Sequence, residues 1–280
     1  MALIIQFFNF AMSVLDEFTQ NIVNQSQTKN SEIKKALLAV DRAKFVAEDL
    51  SNQAYDDYPL PIGWGQTISQ PSTVVFMLEQ LNVSPGQKIL EVGSGCGWVS
   101  ALLARLVGDK GKVIGMELIP ELVAQARENI QRVIRGNVMM AAPIQSLRAT
   151  CPPKPWRRRE RSNLKTATPP HIASARSDVL SSLPEHSRSF NSDAISFKNL
   201  QFVAGDGSKG YDKQAPYDRI LVSAGAKAMP KKLLAQLKDG GRAVIPVGET
   251  FQDMVVVDRR GDEFKQTKYP GFVFVPLVSK

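Results

Sequence analysis

Residues 88–97 read Lys88-Ile89-Leu90-Glu91-Val92-Gly93-Ser94-Gly95-Cys96-Gly97. Lys88 to Val92 is a short apolar run of strand length, and Ser100 to Val107, SALLARLV, has the apolar density of a buried helix. Three glycines at alternate positions stand between them. Without a Cβ, such a turn adopts backbone conformations closed to other residues and passes close to a ligand. Strand, glycine turn and helix in this order open an alternating α/β chain.

The alternation continues outward in both directions. Downstream, Lys112 to Met116 reads as a strand and Pro120 to Arg132 as a helix. After a break, Leu200 to Val203 and Arg219 to Ser223 read as strands, Lys231 to Leu237 as a helix, and Ala243 to Val247 as a strand. Met254 to Arg259 and Phe272 to Val278 suggest a closing hairpin. Upstream, residues 14–57 carry apolar positions at helical spacing, and 58–71, YPLPIGWGQTISQP, reads as an ordered loop. Pro71 opens a helix that ends near Asn82. The pattern predicts an α/β fold: a central, mostly parallel sheet with helices on both faces.

A dinucleotide-binding turn reads G-x-G-x-x-G. Here the spacing is G-x-G-x-G, with Glu91 two residues before Gly93. That form, with Ser94 inside it, resembles motif I of the class I S-adenosylmethionine-dependent methyltransferases, and the resemblance implies their Rossmann-like fold. Their cofactor has no phosphate, and its methionyl ammonium group suits a nearby carboxylate. Glu117, followed by Leu118, ends the second strand about 20 positions on, where an acid accepts ribose hydroxyls. Asp206 stands between Gly205 and Gly207 after the third strand; the resemblance implies that it contacts the adenine amino group. All three acids fall at carboxyl ends of strands or beside them, the crevice where open α/β sheets bind ligands.

The acceptor is indicated by residues 61–71, PIGWGQTISQP. This stretch resembles the signature of the protein-L-isoaspartate (D-aspartate) O-methyltransferases. The resemblance takes in Val40-Asp41-Arg42, Ala54-Tyr55-Asp56-Asp57, Ile89 to Gly97, Ile119-Pro120-Glu121-Leu122 and Gly205-Asp206-Gly207. It continues through Ala215-Pro216-Tyr217-Asp218, Ile245-Pro246-Val247-Gly248 and Phe274-Val275-Pro276-Leu277, and covers about 40–132 and 199–278. It implies methylation of the α-carboxylate of L-isoaspartyl residues in damaged proteins. The ester then collapses to a succinimide, whose hydrolysis restores some normal aspartate. Ser69 matches the family's active-site serine, with a helix N-cap as the competing reading, and Gln66, Thr67 and Ile68 are expected to line the same pocket. Trp64 occupies a variable position, Trp98 stands where many relatives have Tyr, and Cys96 reads as a packing residue.

Composition narrows the field. The chain has 280 residues, two cysteines and two histidines, which argues against a disulfide framework, a zinc site or a Ser-His-Asp centre. No metal is expected. The net charge is +8, of which residues 134–197 hold +6, ten Lys/Arg against four Asp/Glu. The rest is nearly neutral, so no general nucleic-acid footprint is expected. The segment 134–197 is rich in Pro, Ser and Arg and sits where a short turn would join a helix to a strand. It reads as a disordered insertion; a small accessory subdomain and a non-coding origin are the other readings. The chain thus divides into a helical region with its loop (1–82), two parts of the methyltransferase domain (83–133 and 198–280) and the insertion.

The apolar start, Met1 to Leu15, lacks a basic lead and is too short to span a bilayer, so it reads as a helix packed on the domain, with Met12 a second candidate start. A cytoplasmic monomer is expected. Two further readings stay open. One is an RNA or DNA methyltransferase docking through Pro152 to Arg161 with Trp156 as a stacking residue; the other is an inactive relative.

Overall fold

A computed structural model describes residues 2–141 and 196–279, with side chains from residue 14 to 135 and from 196 onward. Two helices lead, α1 (Ala2–Gln25) and α2 (Ser31–Ala39), followed by 3₁₀ turns at Arg42–Phe45 and Glu48–Gln53. Asn30 starts α2 by accepting the Glu32 N–H at 3.0 Å. Next come β1 (Leu60–Gly63), β2 (Gln66–Ile68) and α3 (Pro71–Leu81). The alternating part is β3 (Lys88–Val92), α4 (Trp98–Val107), β4 (Lys112–Glu117), α5 (Pro120–Ala141), β5 (Leu200–Ala204), β6 (Tyr217–Val222), α6 (Lys231–Leu234) and β7 (Leu237–Val247). The chain closes on β8 (Gln252–Arg260) and β9 (Glu263–Phe272).

Seven strands form one sheet in the order β5-β4-β3-β6-β7-β8-β9. The pairs from β5 to β7 are parallel; β8 and β9 add antiparallel. Successive side chains of a strand point to opposite faces, and the core follows that rule. Ile89, Val113, Leu221 and Val244 join Leu78, Leu102, Leu122 and Phe18 in one cluster, fed by α1 through α5. Leu90, Ile114, Ile220 and Ala243 point into a second, smaller cluster with Leu233 and Leu234 of α6. Among the described residues the second face therefore carries only the one-turn α6 and 3₁₀ turns, less helix than expected there.

Four expectations are corrected. Residues 58–71 are more than a loop: β1 and β2 pair as a hairpin whose two-residue turn, Trp64-Gly65, has φ 51° and 69°. Such a turn needs left-handed backbone at both positions, and the prolines and glycines that mark it also mask the strands. The final hairpin is Gln252–Arg260 with Glu263–Phe272; residues 273–277 instead run past Gly225, whose N–H donates to Val275 O and whose carbonyl accepts from Leu277 N, both at 2.8 Å. β9 is an edge strand, solvent-facing along most of its length, and its aromatics Phe264, Tyr269 and Phe272 do not fall at alternate positions, so it gives no strand period. Lys231–Leu237 is helical only to Leu234, and β7 begins at Leu237. Finally, α5 continues to Ala141, while Ile134 and Phe197 pack into the first cluster, so the boundaries 134 and 197 fall inside the folded domain. Of the rest of that segment, Cys151, Trp156 and both histidines lie outside the described residues.

Candidate active site

From β3 the chain proceeds outward to β4 and β5, then returns to β6 on the other side of β3. The direction of winding reverses there, and the carboxyl ends of β3, β4 and β6 frame a crevice. Gly93, Gly95 and Gly97 enter it with φ of 81°, 50° and 89°. The turn is held from β4: the Gly93 and Ser94 N–H groups both donate to the Met116 carbonyl, at 2.8 and 3.0 Å. Two of the three glycines make room for different neighbours. A Cβ on Gly97 would stand 3.0 Å from Ala126 Cβ and Phe202 Cζ, so this glycine lets α5 and β5 approach. A Cβ on Gly95 would stand 3.1 Å from Ile62 Cδ1, so this one admits the β1–β2 hairpin.

The carboxylates are set differently from one another. Glu91 is fully buried; one oxygen accepts the Ser100 hydroxyl and the other the Ser223 hydroxyl at 3.1 Å. Burial pushes its pKa up to about 7, against the pull of both hydroxyls. Read from sequence as a partner for an ammonium group, it is held from within by α4 and the end of β6. Glu117 accepts Gly95 N–H through Oε2 at 2.9 Å and Ile119 N–H through Oε1 at 3.1 Å. Its own carbonyl takes the Gly205 N–H at 2.8 Å, which brings the Gly205-Asp206-Gly207 stretch beside it. Asp206 caps a 3₁₀ turn through Ser208 N and Oγ (3.0 and 2.6 Å) and pairs with Lys209 at 3.2 Å. A Cβ on Gly207 would meet Val92 Cγ1 at 2.5 Å, so this glycine lets the turn sit against the end of β3.

The hairpin residues divide as well. Ile68 is buried in the core, Thr67 faces solvent, and Gln66 and Ser69 are half-buried; Gln66 Nε2 donates to Trp64 O at 3.3 Å. Leu118 is half-buried beside Glu117. The N-cap of α3 is Gln70, and Asp57 serves this helix end: its carboxylate accepts Ser72 N–H at 2.8 Å and the Gln70 amide at 3.0 Å. Cys96 is buried, and burial pushes its thiol up to about 12, which makes it inert as a nucleophile. Four contributors escaped sequence reasoning as individuals: Arg42, Asp57, Ser100 and Ser223. Arg42 and Asp57 lay within matched blocks, but nothing in the sequence marked them as ties to the hairpin base.

The sequence model of the protein-L-isoaspartate (D-aspartate) O-methyltransferase (PCMT) family matches residues 14–143 and 178–280. The protein-L-isoaspartate O-methyltransferase of Methanothrix thermoacetophila is 36% identical over 251 residues, 90% of each chain. Protein-L-isoaspartate O-methyltransferase 2 of Archaeoglobus fulgidus is 35% identical over 91% of this chain and 89% of its own. In fold the chain resembles a crystal structure from Plasmodium falciparum, described as a protein-L-isoaspartate O-methyltransferase in complex with S-adenosyl-L-homocysteine. The TM-score is 0.66, with 20% identity, over 95% of this chain and 99% of that one. With a matching family model over most of its length and relatives above one-third identity, the chain belongs to the protein-L-isoaspartate (D-aspartate) O-methyltransferase family.

Proposed function

We propose that this protein transfers the methyl group of S-adenosylmethionine to the free α-carboxylate of L-isoaspartyl and D-aspartyl residues in damaged proteins, and so starts their repair. The observation that carries the reading is the seating of the hairpin, which holds the signature 61–71, directly on the glycine turn through Ile62 and Gly95. Acceptor loop and cofactor turn are thereby one site.

The residues fit the cofactor. Each Glu117 oxygen accepts one backbone N–H, and a carboxylate oxygen has capacity for another donor, which leaves room for both ribose hydroxyls. Asp206, in the turn that follows β5, supplies an acceptor for the adenine amino group. Ser94 Oγ is buried in the turn with no hydrogen-bond partner among the described residues. When bound, the cofactor supplies an electrophilic methyl on a positively charged sulfur. The acceptor carboxylate is ionised at neutral pH, so no general base is required. Ser69 donates its hydroxyl to one carboxylate oxygen and leaves the other aimed at the methyl; Gln66 and Thr67 flank it. The hairpin limits water, and orientation with desolvation carries the rate.

The family model leaves 144–177 unmatched, which supports reading the middle segment as an insertion into the family's domain. No helix among the described residues is long and apolar enough to cross a membrane. A cytoplasmic, monomeric enzyme that does not bind nucleic acid completes the reading. The test is transfer of labelled methyl to an isoaspartyl peptide, with the matching aspartyl peptide as control. Base-labile label on the isoaspartyl peptide alone is expected; equal labelling of both, or of neither, overturns the reading.

A further inference from the structure

Arg42 is fully buried, and its head ends on four backbone carbonyls. Nη1 donates to Ala54 O at 2.8 Å and Asp56 O at 3.4 Å; Nη2 donates to Tyr58 O at 3.0 Å and Ser69 O at 3.2 Å. The first three carbonyls precede β1 and the fourth follows β2, so one guanidinium grips both stems of the hairpin. Its Cζ lies 5.4 Å from the centre of the ring of Trp98, the first residue of α4 after the glycine turn. Trp98 in turn donates Nε1–H to Val40 O at 3.2 Å. Desolvation lowers the Arg42 pKa to about 10, so the head stays charged at neutral pH.

Strands of four and three residues do not hold a hairpin in place alone. The grip on the stem supplies what the strands lack. We propose that Arg42 is a positioning residue for methyl transfer: it fixes Ser69 at the base of the hairpin and ties that base, through Trp98, to the cofactor turn. The inference rests on the role proposed above for Ser69. Lysine keeps the charge but lacks the planar fork, and a single ammonium cannot reach both stems.

The test is a double-mutant cycle with R42K and S69A. It measures kcat and KM for an isoaspartyl peptide, affinity for S-adenosylhomocysteine, and hydrogen exchange of amides 60–70. R42K is expected to lower kcat by about tenfold to a hundredfold, the cost of misplacing a reacting group by an ångström or less. Cofactor affinity should hold, and exchange should rise in 60–70 while β3, β4 and β6 stay protected. In the S69A background R42K should cost nothing further, because it acts through the same hydroxyl. Losses that multiply independently overturn the proposal. So does an R42K protein that is insoluble or no longer binds the cofactor, because Arg42 then holds the whole domain rather than the hairpin. A wild-type protein that methylates no isoaspartyl peptide defeats the functional reading instead; unchanged exchange in 60–70 then still sinks the Arg42 tie on its own.

Discussion

Glu117 Oε2 accepts the backbone N–H of Gly95 at 2.9 Å, so the acid that ends β4 also braces the glycine turn that follows β3. Its other oxygen holds Ile119 N–H at the start of α5. Removing the carboxylate strands two N–H groups and removes the proposed ribose acceptor. Glu117→Ala should weaken S-adenosylhomocysteine binding by at least about a hundredfold, since hydrogen bonds to a charged group contribute about 1.5–3 kcal/mol each. Titration calorimetry reads this directly, and affinity within a few-fold of wild type would remove Glu117 from the cofactor site.

Asp57 reaches the first turn of α3 from outside the helix, taking Ser72 N–H and the Gln70 amide. An N-cap carboxylate contributes about 1–2 kcal/mol. Asp57→Ala should lower unfolding free energy by about that amount in urea titrations and, because Ser69 adjoins Gln70, reduce turnover as well. A variant as stable as wild type would show that the cap carries no load.

How much of this was legible beforehand varies by element. β3, β4 and α3 could be placed to within a residue or two, because their apolar runs are buried on one side or both and glycine or proline marks their ends. β9 could not, because it is an edge strand whose aromatics, Phe264, Tyr269 and Phe272, are spaced five and three apart and so show no period of two. Gly95 was legible as a point of close approach, because a glycine at left-handed φ beside the hairpin leaves a fixed spacing in the turn. Arg42 and Asp57 act on backbone groups far along the chain, and a backbone carbonyl has no letter in a sequence. Their work is visible only once the 54–58 and 69–72 segments have been folded around them.

Glu91 is buried with a pKa raised by desolvation from 4.5 to about 7. Between those values the folded protein binds a proton that the unfolded chain has released, so folding stability from this group falls as pH rises through that window. Above it, the ionised form costs about 3 kcal/mol relative to a neutral side chain. Glu91→Gln keeps the shape and should flatten the loss of stability between about pH 5 and pH 7. It should also exceed wild type at pH 8. Denaturant midpoints across that range decide the matter; parallel curves for the two proteins would mean that Glu91 titrates as an ordinary carboxyl.

Ser69 can be tested apart from the fold because the cap of α3 belongs to Asp57 and Arg42 holds the Ser69 carbonyl rather than its hydroxyl. Ser69→Ala therefore removes a hydroxyl without removing a tie. Stability should change by less than about 0.5 kcal/mol, as for a partly exposed side chain with no structural bond. Cofactor affinity should be kept. Turnover on an isoaspartyl peptide should fall by about a hundredfold, the scale of one oriented hydrogen bond to a reacting carboxylate. Ser69→Thr restores a hydroxyl on a bulkier Cβ and should recover part of the loss. If S69A turns over like wild type, the hydroxyl does not touch the acceptor, and the orienting group must be sought among Gln66 and Thr67. If it loses stability and cofactor binding together, Ser69 supports the hairpin rather than the reaction.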